Sequence, residues 1–331
     1  MNILKQVAEI KAKYLVILYE KHGSTPQKEG AYMLLGKSGK QSGTIGGGLI
    51  EHVATSLGAA ILSSGLIATA EFTLSNYKAG ALGMVCGGKN KLIYIPLTAE
   101  VMKELETGTL CFAMPKKQLQ IFPKEILAEC DEFLDKSDNF TLYQESLNII
   151  NPPKLPAKSC YSKGNNYAYF CFKPMQAPRI IIFGGGHVAQ KVSYLLSFVG
   201  YKQVILEDRL EFLKKELFAK EAELKKVEFS CFKKELTIEK NDFICVLTRG
   251  HRSDIEVIDQ LLKEEFSFLG VMGSKAKKHH MLDELTKRGY NKEILDKITC
   301  PIGLDIGSVS IEEIAVSIVA QIIATYQKNA N

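Results

Sequence analysis

A glycine-rich segment, 184–186, has the residue types and the surroundings of a phosphate-binding turn. The apolar run 180–183 precedes it, and a helical pattern with apolar residues at 188, 192, 195, 196 and 199 follows it. Gly184 permits the tight turn, Gly186 lets backbone N–H groups approach a phosphate, and Ala189 lets helix and strand pack closely. The segment, which includes Gly185, predicts a βαβ unit that binds a nucleotide-type ligand; a ligand-free Rossmann-like fold is the alternative.

Two acidic residues end the next apolar run of this unit. Glu207 and Asp208 lie about 20 residues beyond the glycines, which is the separation expected of a carboxylate that binds ribose hydroxyls. Both are therefore candidate ligand-binding residues.

Strand and helix patterns continue to alternate from 179 to 288, with a helix expected near 210–220 and a strand near 227–232. This alternation predicts a doubly wound parallel sheet, in which ligands bind at the carboxyl ends of the strands. Arginine occurs only at 179, 209, 249, 252 and 288, so its concentration near these ends indicates an anion-binding rim. The residues expected at this edge, beyond the glycines and acids, are His187, Arg209, Arg249, His251, Arg252, Ser274 and Lys275.

Three of the polar residues near this edge have a second interpretation. Ser253 with Glu256 also fits a capping box, which explains that serine without a ligand. His187 and His251 are candidate general acids or bases, although a histidine that hydrogen-bonds a helix start is the commoner case.

A second glycine segment, 46–48, opens a predicted helix near the N-terminus. Unpaired backbone N–H groups at such a start favour an anion, so Gly46, Gly47 and Gly48 are candidate cofactor-binding residues. Glu51 follows in the first turn, where it either complements the helix dipole or contacts a ligand.

The cysteines divide into one candidate for chemistry and several buried thiols. Cys86 is flanked by Gly83 and by the pair 87–88, which suits an accessible thiolate nucleophile or sulfur carrier, or a small apolar residue in a tight turn. The eight cysteines include no C-x-x-C, so we expect reduced, mostly buried thiols and a reducing compartment.

Length and composition bound the remaining classes. A chain of 331 residues with 46% hydrophobic and 24% charged residues predicts two globular domains, and the turn-rich linker 173–178 places them at 1–174 and 175–331. A net charge of +5 is too mild to indicate nucleic-acid binding. We see no zinc or Walker motif and no apolar run of about 20 residues, so we expect a cytoplasmic protein with no metal site and no membrane segment.

The chain ends in a strongly apolar predicted helix. Its stripe must be covered by the sheet, the other domain or a second subunit, and we expect a homodimer. The apolar positions are 311, 314, 315, 318, 319 and 322.

Seven separated motifs together resemble the XdhC/CoxI family, the accessory factors of xanthine dehydrogenase and carbon monoxide dehydrogenase. Gly185 is a mild departure, because alanine is expected there as often as glycine. The motifs, which span nearly the whole chain, are 23–26, 43–51 and 85–88 in the first half, and 182–189, 248–251 with 270–275, and 301–307 in the second half.

The resemblance implies a mixed α/β N-terminal domain, a Rossmann-like C-terminal domain and a chaperone of molybdenum cofactor. Such a protein binds the cofactor transiently, assists its sulfuration with a cysteine desulfurase, and delivers it to an apo molybdenum hydroxylase. In this interpretation Cys86 is a thiol near the metal or sulfur. One alternative is an NAD(P)-dependent oxidoreductase acting on a small heterocyclic substrate; another is a scaffold whose clefts are vestigial.

Overall fold

The chain folds into two compact units, Met1–Met175 and Gln176–Asn331; the boundary expected from the sequence lies one residue earlier. The computed structural model describes residues 3–23, 27–37, 41–62, 64–73, 89–115, 120–121, 140–145, 148–150, 159–164, 167–174 and 177–330. Cys86 lies outside these residues, as does the segment 125–135, whose sequence predicts a helix. Within them, no helix combines the length and apolar character needed to cross a membrane.

The N-terminal unit is built mainly of antiparallel strands. Its described helices are α1 (Ile3–Ile10), α2 (Gly48–Ile61) and α3 (Ala99–Glu106). Its described strands are β1 (Ala12–His22), β2 (Tyr32–Gly36), β3 (Gln41–Gly43), β4 (Ile67–Thr73), β5 (Lys89–Pro96), β6 (Leu110–Pro115), β7 (Gln120–Ile121), β8 (Phe140–Glu145), β9 (Asn148–Ile149), β10 (Cys160–Lys163) and β11 (Tyr167–Phe172). They form two sheets, in the orders β3-β2-β1-β5-β4-β8-β7 and β10-β11-β6-β9.

Strand β1, an interior strand of the larger sheet, is buried on both faces, because its side chains alternate between two apolar clusters. Val16 and Leu18 pack toward α2, while Leu15 and Ile17 pack with α1, α3 and the smaller sheet. The hydroxyl of buried Tyr94 donates to the Ala54 carbonyl oxygen at 3.2 Å and so fixes α2 on the sheet.

The C-terminal unit is a parallel sheet with helices on both sides. Its helices are α4 (His187–Phe198), α5 (His251–Leu261), α6 (Lys275–Lys287), α7 (Lys292–Leu295) and α8 (Ile311–Ala330). Its strands are β12 (Arg179–Phe183), β13 (Lys202–Glu207), β14 (Glu223–Lys226), β15 (Phe243–Val246), β16 (Phe268–Val271) and β17 (Ile298–Thr299), in the order β14-β13-β12-β15-β16-β17. Every pair is parallel, and the order is the 3-2-1-4-5-6 arrangement of Rossmann folds, which confirms the predicted fold class.

The two helical layers bury separate apolar clusters against the sheet. Helices α5 and α6 cover one face, and α4 and α8 cover the other. Ala315, Ile318 and Ile322 of α8 are fully buried with Cys245 of the sheet and Leu196 of α4. This stripe is therefore covered within its own unit and gives no argument for a homodimer.

Two predicted elements of this unit are wrong. The region near 210–220 contains two short 3₁₀ turns, Leu210–Phe212 and Lys215–Leu217, instead of a helix. No strand forms at 227–232; the strand β14 ends just before this segment, and the 3₁₀ turn Phe229–Lys234 occupies most of it. Phe229 and Phe232, three residues apart, are both buried, and this is the spacing of one 3₁₀ turn.

The expectation that the cysteines are reduced thiols is wrong for one pair. Cys111 and Cys171 form a disulfide across the neighbouring strands β6 and β11, at a sequence separation of 60 residues. Because the bond joins distant parts of the chain, no short sequence spacing announces it. Cys245 and Cys300 agree with the expectation, since they are buried free thiols.

A buried ion pair closes the amino-terminal edge of the parallel sheet. The Arg179 guanidinium donates to both carboxylate oxygens of buried Asp242, at 2.8 and 2.6 Å. The hydrogen bond to Asp242 raises the pKa of Arg179. The Glu239 backbone N–H donates to the same carboxylate at 2.7 Å, so Asp242 holds two segments together.

We expect Asp242→Ala to lower the free energy of unfolding by roughly 1.5–3 kcal/mol, since charged hydrogen bonds in a partly buried site are lost. The measurement is urea unfolding followed by circular dichroism. The control is Lys240→Ala, which removes an exposed pair with Glu265 and should change the value by less than about 0.5 kcal/mol. Equal losses in both variants would contradict the assignment.

Candidate functional site

The turn after β12 begins with a glycine that no other residue can replace without strain. Gly184 has φ +105°, and a Cβ atom there would lie 2.4 Å from the Leu247 carbonyl oxygen. Its N–H donates to the Leu206 carbonyl oxygen at 2.7 Å. The chain therefore passes tightly between the ends of two neighbouring strands.

The second glycine of the turn lies against backbone and a carboxylate. The Gly185 N–H donates to Glu207 Oε2 at 2.7 Å, and a Cβ atom would lie 2.5 Å from the Phe212 carbonyl oxygen. The alanine expected here as often as glycine has no room in this chain.

The third glycine opens onto free space. Gly186 is the N-cap of α4, and a Cβ atom there would meet nothing within 4 Å. The first N–H groups of an α-helix have no partner within the helix and carry the positive end of its dipole. The start of α4 thus offers hydrogen-bond donors to an anion.

A cavity of about 220 Å³ lies at this helix start, at the carboxyl edge of the sheet. Four of the predicted site residues line it: Gly186, His187, Arg209 and Arg249. The other lining residues are Val188, Ala189, Leu247, Thr248, Met272 and Ile311. The mixture of helix N–H groups, two guanidinium groups and apolar walls suits a phosphate joined to a less polar body.

Glu207 holds the glycine turn and Arg209 beside this cavity. Its side chain is 1% exposed and accepts from the Gly185 N–H and from Arg209 Nε at 3.0 Å and Nη2 at 3.1 Å. Burial alone would raise the pKa of Glu207, but hydrogen bonds from Asp208, Arg209 and the Gly185 N–H outweigh it and lower the pKa to about 2. Because these partners already occupy its carboxylate, Glu207 holds the glycine turn in place.

Asp208 is the more accessible of the two acids. Its side chain is 28% exposed, and Oδ2 lies 3.4 Å from Arg249 Nη2. A hydrogen bond with Glu207, then burial and the charge of Glu207, raise the pKa of Asp208. A carboxyl group in this position can accept from a ligand hydroxyl.

The two arginines of the cavity differ in freedom. Arg209 is tied to Glu207, and its guanidinium lies 3.9 Å from the centroid of the Phe212 ring, a cation–π contact. Arg249 is 55% exposed, and its one ion pair among the described residues is with Asp208. Arg249 is therefore the cation better able to follow a ligand.

Eight predicted residues of this unit lie outside the cavity lining: Gly184, Gly185, Glu207 and Asp208, described above, and Arg252, Ser274, Lys275 and His251. The Arg252 side chain is 94% exposed and pairs with Glu256 at 3.2 Å. Ser274 caps α6 by accepting from the Lys277 N–H, and Lys275 is the exposed first residue of that helix. The His251 ring stacks on the His280 ring, with centroids 4.3 Å apart; burial and then the neighbouring His280 lower its pKa.

The capping role considered for Ser253 is wrong. Helix α5 begins at His251 with Gly250 as its N-cap, so Ser253 lies inside the first turn. Gly250 tolerates the extended backbone of the cap without a side-chain hydrogen bond.

The sequence does not predict a buried polar cluster next to the cavity, which consists of Thr248, Asp254 and Lys277. Asp254 is 1% exposed, accepts from Thr248 Oγ1 at 2.6 Å and lies 2.5 Å from Lys277 Nζ. Burial raises the pKa of Asp254, although the hydrogen bonds from Lys277 and Thr248 oppose this. Lys277 Nζ also donates to the Met272 carbonyl oxygen at 3.0 Å, so the cluster joins α5, α6 and the end of β16. The one sequence signal was the polar residues after two neighbouring strands.

The glycine loop of the N-terminal unit is occupied by its own carboxylate. Gly46, Gly47 and Gly48 all have positive φ, at 139°, 67° and 57°. Glu51 Oε2 accepts from the Gly47 N–H at 3.0 Å and from Thr44 Oγ1 at 2.5 Å. Glu51 thus fills the place where an external anion would meet the Gly47 N–H. The described residues contain no group of three or more His, Cys, Asp or Glu able to hold a metal ion.

Two family models match the chain in sequence order. The model described as the XdhC and CoxI family matches residues 9–72, and the model described as the XdhC Rossmann domain matches residues 180–322. Each unit of the structure thus contains one of the two matched regions.

Two curated relatives and a solved structure are among the proteins similar to the chain. The uncharacterized protein YqeB of Escherichia coli (strain K12) is 28% identical over 147 residues, which are 44% of this chain and 27% of YqeB, so the match spans about a quarter of that relative. A protein of Bacillus subtilis (strain 168), named as a probable subunit of xanthine dehydrogenase, is 24% identical over 328 residues, which are 96% of this chain and 94% of the relative.

The solved structure, described as a xanthine dehydrogenase from Bacillus halodurans, has a TM-score of 0.73 at 21% identity and covers 99% of this chain and 96% of its own. At this identity the likeness concerns the fold.

Serine at two neighbouring glycines tests the geometry of the turn. Gly185→Ser should lower the free energy of unfolding by about 1–3 kcal/mol, because the new Cβ atom overlaps the Phe212 carbonyl oxygen. Gly186→Ser places the same side chain in open space at an N-cap that favours serine, so it should change the value by less than about 0.5 kcal/mol. Urea unfolding of both variants is the measurement; a larger loss in Gly186→Ser would refute this description of the turn.

Proposed function

Because the chain belongs to the XdhC and CoxI family, we propose that it is an accessory factor of a xanthine dehydrogenase-type molybdenum hydroxylase. It binds molybdenum cofactor, assists its sulfuration and inserts it into the apo enzyme. The protein is in this proposal a carrier of the cofactor more than a catalyst. The two family matches and the Bacillus subtilis relative, with its xanthine dehydrogenase name, support this role.

The cavity at the start of α4 carries the proposal on the structural side. The pterin cofactor bears a phosphate, which needs donors at its oxygens and a nearby positive charge. The N–H groups after Gly186 supply the donors, and Arg249 supplies an exposed guanidinium at the same cavity. The open space at Gly186 gives the phosphate room to approach the backbone.

The loop 46–48 is the less suitable phosphate site. Its Gly47 N–H donates to Glu51, so an anion would have to displace a carboxylate that already carries the same charge. We therefore assign the phosphate to the C-terminal unit. Glu51 acts in this proposal as the clamp of its own loop.

The partners follow from the proposed role. A cysteine desulfurase supplies sulfur, Cys86 is the proposed thiol near the metal or sulfur, and an apo molybdenum hydroxylase receives the cofactor. Cys86 lies outside the described residues, so its part in the proposal depends on the sequence. A homodimer and a cytoplasmic location stay predictions from the sequence.

Two arginines three positions apart provide a matched test. Arg249→Ala should weaken retention of molybdenum cofactor about tenfold or more, because a charged hydrogen bond is worth about 1.5–3 kcal/mol. Arg252→Ala removes the same charge from a side chain that points into solvent, and should leave retention unchanged. The measurement is pterin and molybdenum content after anaerobic loading and desalting.

Two outcomes would contradict the proposal. If neither wild-type protein nor Cys86→Ala retains pterin, the proposed binding of molybdenum cofactor is wrong. Equal retention by wild type, Arg249→Ala and Arg252→Ala would remove the assignment of the phosphate to this cavity while leaving cofactor binding intact.

The dinucleotide geometry favours a second candidate, an NAD(P)-dependent oxidoreductase acting on a small heterocyclic substrate. The strand order, the glycine turn before α4 and Asp208 after β13 together match the arrangement in which a carboxylate binds the ribose of NAD.

Calorimetric titration with NAD(H) and NADP(H) distinguishes the two functions. An oxidoreductase binds one of them, turns it over and loses at least about tenfold in affinity in Asp208→Ala. A cofactor chaperone shows no hydride transfer. Absence of dinucleotide binding, with unchanged behaviour in Asp208→Ala, removes this candidate.

A further inference from the structure

Three cysteines lie side by side across neighbouring strands of the N-terminal unit. Cys160 on β10 pairs with Cys171 on β11, and Cys171 pairs in turn with Cys111 on β6. Directly paired residues of an antiparallel sheet project from the same face. The three side chains therefore form one row on one face of this sheet.

The row joins an exposed thiol to a buried disulfide. Cys111 and Cys171 are bonded to each other and are 3% and 8% exposed. Cys160 is a free, exposed thiol on β10, which is the edge strand of the described sheet. Solvent thus reaches one end of the row, and the disulfide occupies the other.

Backbone hydrogen bonds define the spacing of the two pairs. The Cys111 carbonyl oxygen accepts from the Ile150 N–H at 2.9 Å, on the side away from β11. Cys111 and Cys171 are therefore a non-hydrogen-bonded pair, in agreement with their Cα separation of 4.0 Å.

The polar backbone groups of Cys171 must then point toward β10, which makes Cys160 and Cys171 a hydrogen-bonded pair with Cα atoms about 5.5 Å apart. Most disulfides have Cα separations of about 4.4–6.8 Å, so the Cys160–Cys171 pair falls within the usual range, while the bonded Cys111–Cys171 pair, at 4.0 Å, falls below it. The Cα spacing of the strands therefore permits a bond between Cys160 and Cys171.

A serine beside the row holds the edge strand in place. Ser159 Oγ accepts from the Lys173 N–H at 2.9 Å and donates to the Lys173 carbonyl oxygen at 3.2 Å. Ser159 directly precedes Cys160, so these bonds tie the start of β10 to the end of β11. The register that aligns the cysteines is thus supported by contacts independent of sulfur.

We propose that Cys160, Cys171 and Cys111 form a thiol–disulfide exchange site that opens to small thiols at Cys160. The Cys160 thiol gives its proton to water, and the thiolate attacks Cys171 Sγ. A Cys160–Cys171 bond forms as the Cys171–Cys111 bond breaks, and Cys111 leaves as a thiolate that takes up a proton. The exchange involves no net oxidation and moves the disulfide to the exposed edge.

A low-molecular-weight thiol completes the reaction at that edge. It attacks the exposed Cys160 sulfur, forms a mixed disulfide there and releases Cys171 as a thiol; a second thiol then frees Cys160. Without Cys160 the same reductant must reach the two buried sulfurs directly. This site is independent of the proposed cofactor function.

A variant tests the alternative bond. Cys111→Ser, treated with oxidised glutathione and digested without reduction, should yield a peptide linked through Cys160 and Cys171 in most chains. The measurement is mass spectrometry, with circular dichroism to establish that the variant is folded. A folded variant in which the two cysteines are not joined to each other would overturn the proposal.

The rate at which the Cys111–Cys171 disulfide is reduced gives a second test, which does not need the Cys111→Ser variant. Reduced glutathione should reduce the Cys111–Cys171 bond at least about tenfold more slowly in Cys160→Ser than in wild type. The rate is measured by quenching samples with an alkylating agent at successive times and mapping the peptides. Cys231→Ser, which removes a free thiol of the other unit, should match wild type. Equal rates in wild type and Cys160→Ser would overturn the proposal.

Discussion

The candidate site depends on one buried carboxylate. Glu207, at the end of β13, accepts from the Gly185 N–H and from the Arg209 guanidinium, and its pKa of about 2 keeps it ionised. This single side chain fixes the glycine turn relative to the next strand and orients an arginine onto Phe212. Contacts within the chain therefore hold the glycine turn and the start of α4 in position beside the cavity.

The elements that the sequence predicts correctly are those whose pattern is local, and the others depend on contacts between distant parts of the chain. The strands β12, β13, β15 and β16 are short apolar runs that are buried on both faces, and such runs are visible locally. The edge strand β14 reads Glu-Leu-Lys-Lys and pairs only with β13 among the described strands, so its sequence carries almost no strand signal. The 3₁₀ turns were mistaken for longer elements because the same apolar residues can anchor either.

Within the site, sequence identified residue types more successfully than roles. Glu207 and Asp208 are adjacent, but the alternation of a strand sends one into the interior and leaves the other accessible. Arg249 and Arg252 differ because α5 begins between them, which leaves the first at the cavity and turns the second toward solvent. The Thr248–Asp254–Lys277 cluster and the cysteine row require knowledge of which helix starts and strands are neighbours, and this information is absent from local patterns.

The wall of the cavity includes Ile311, the first residue of α8. Every other element of the C-terminal unit precedes α8 in the chain, so the ribosome releases the glycine turn, Arg209 and Arg249 before that wall exists. The nascent polypeptide therefore carries an incomplete cavity throughout most of its synthesis. The apolar side of the cavity at Ile311 is thus the last part to form, when α8 has emerged and packed on α4.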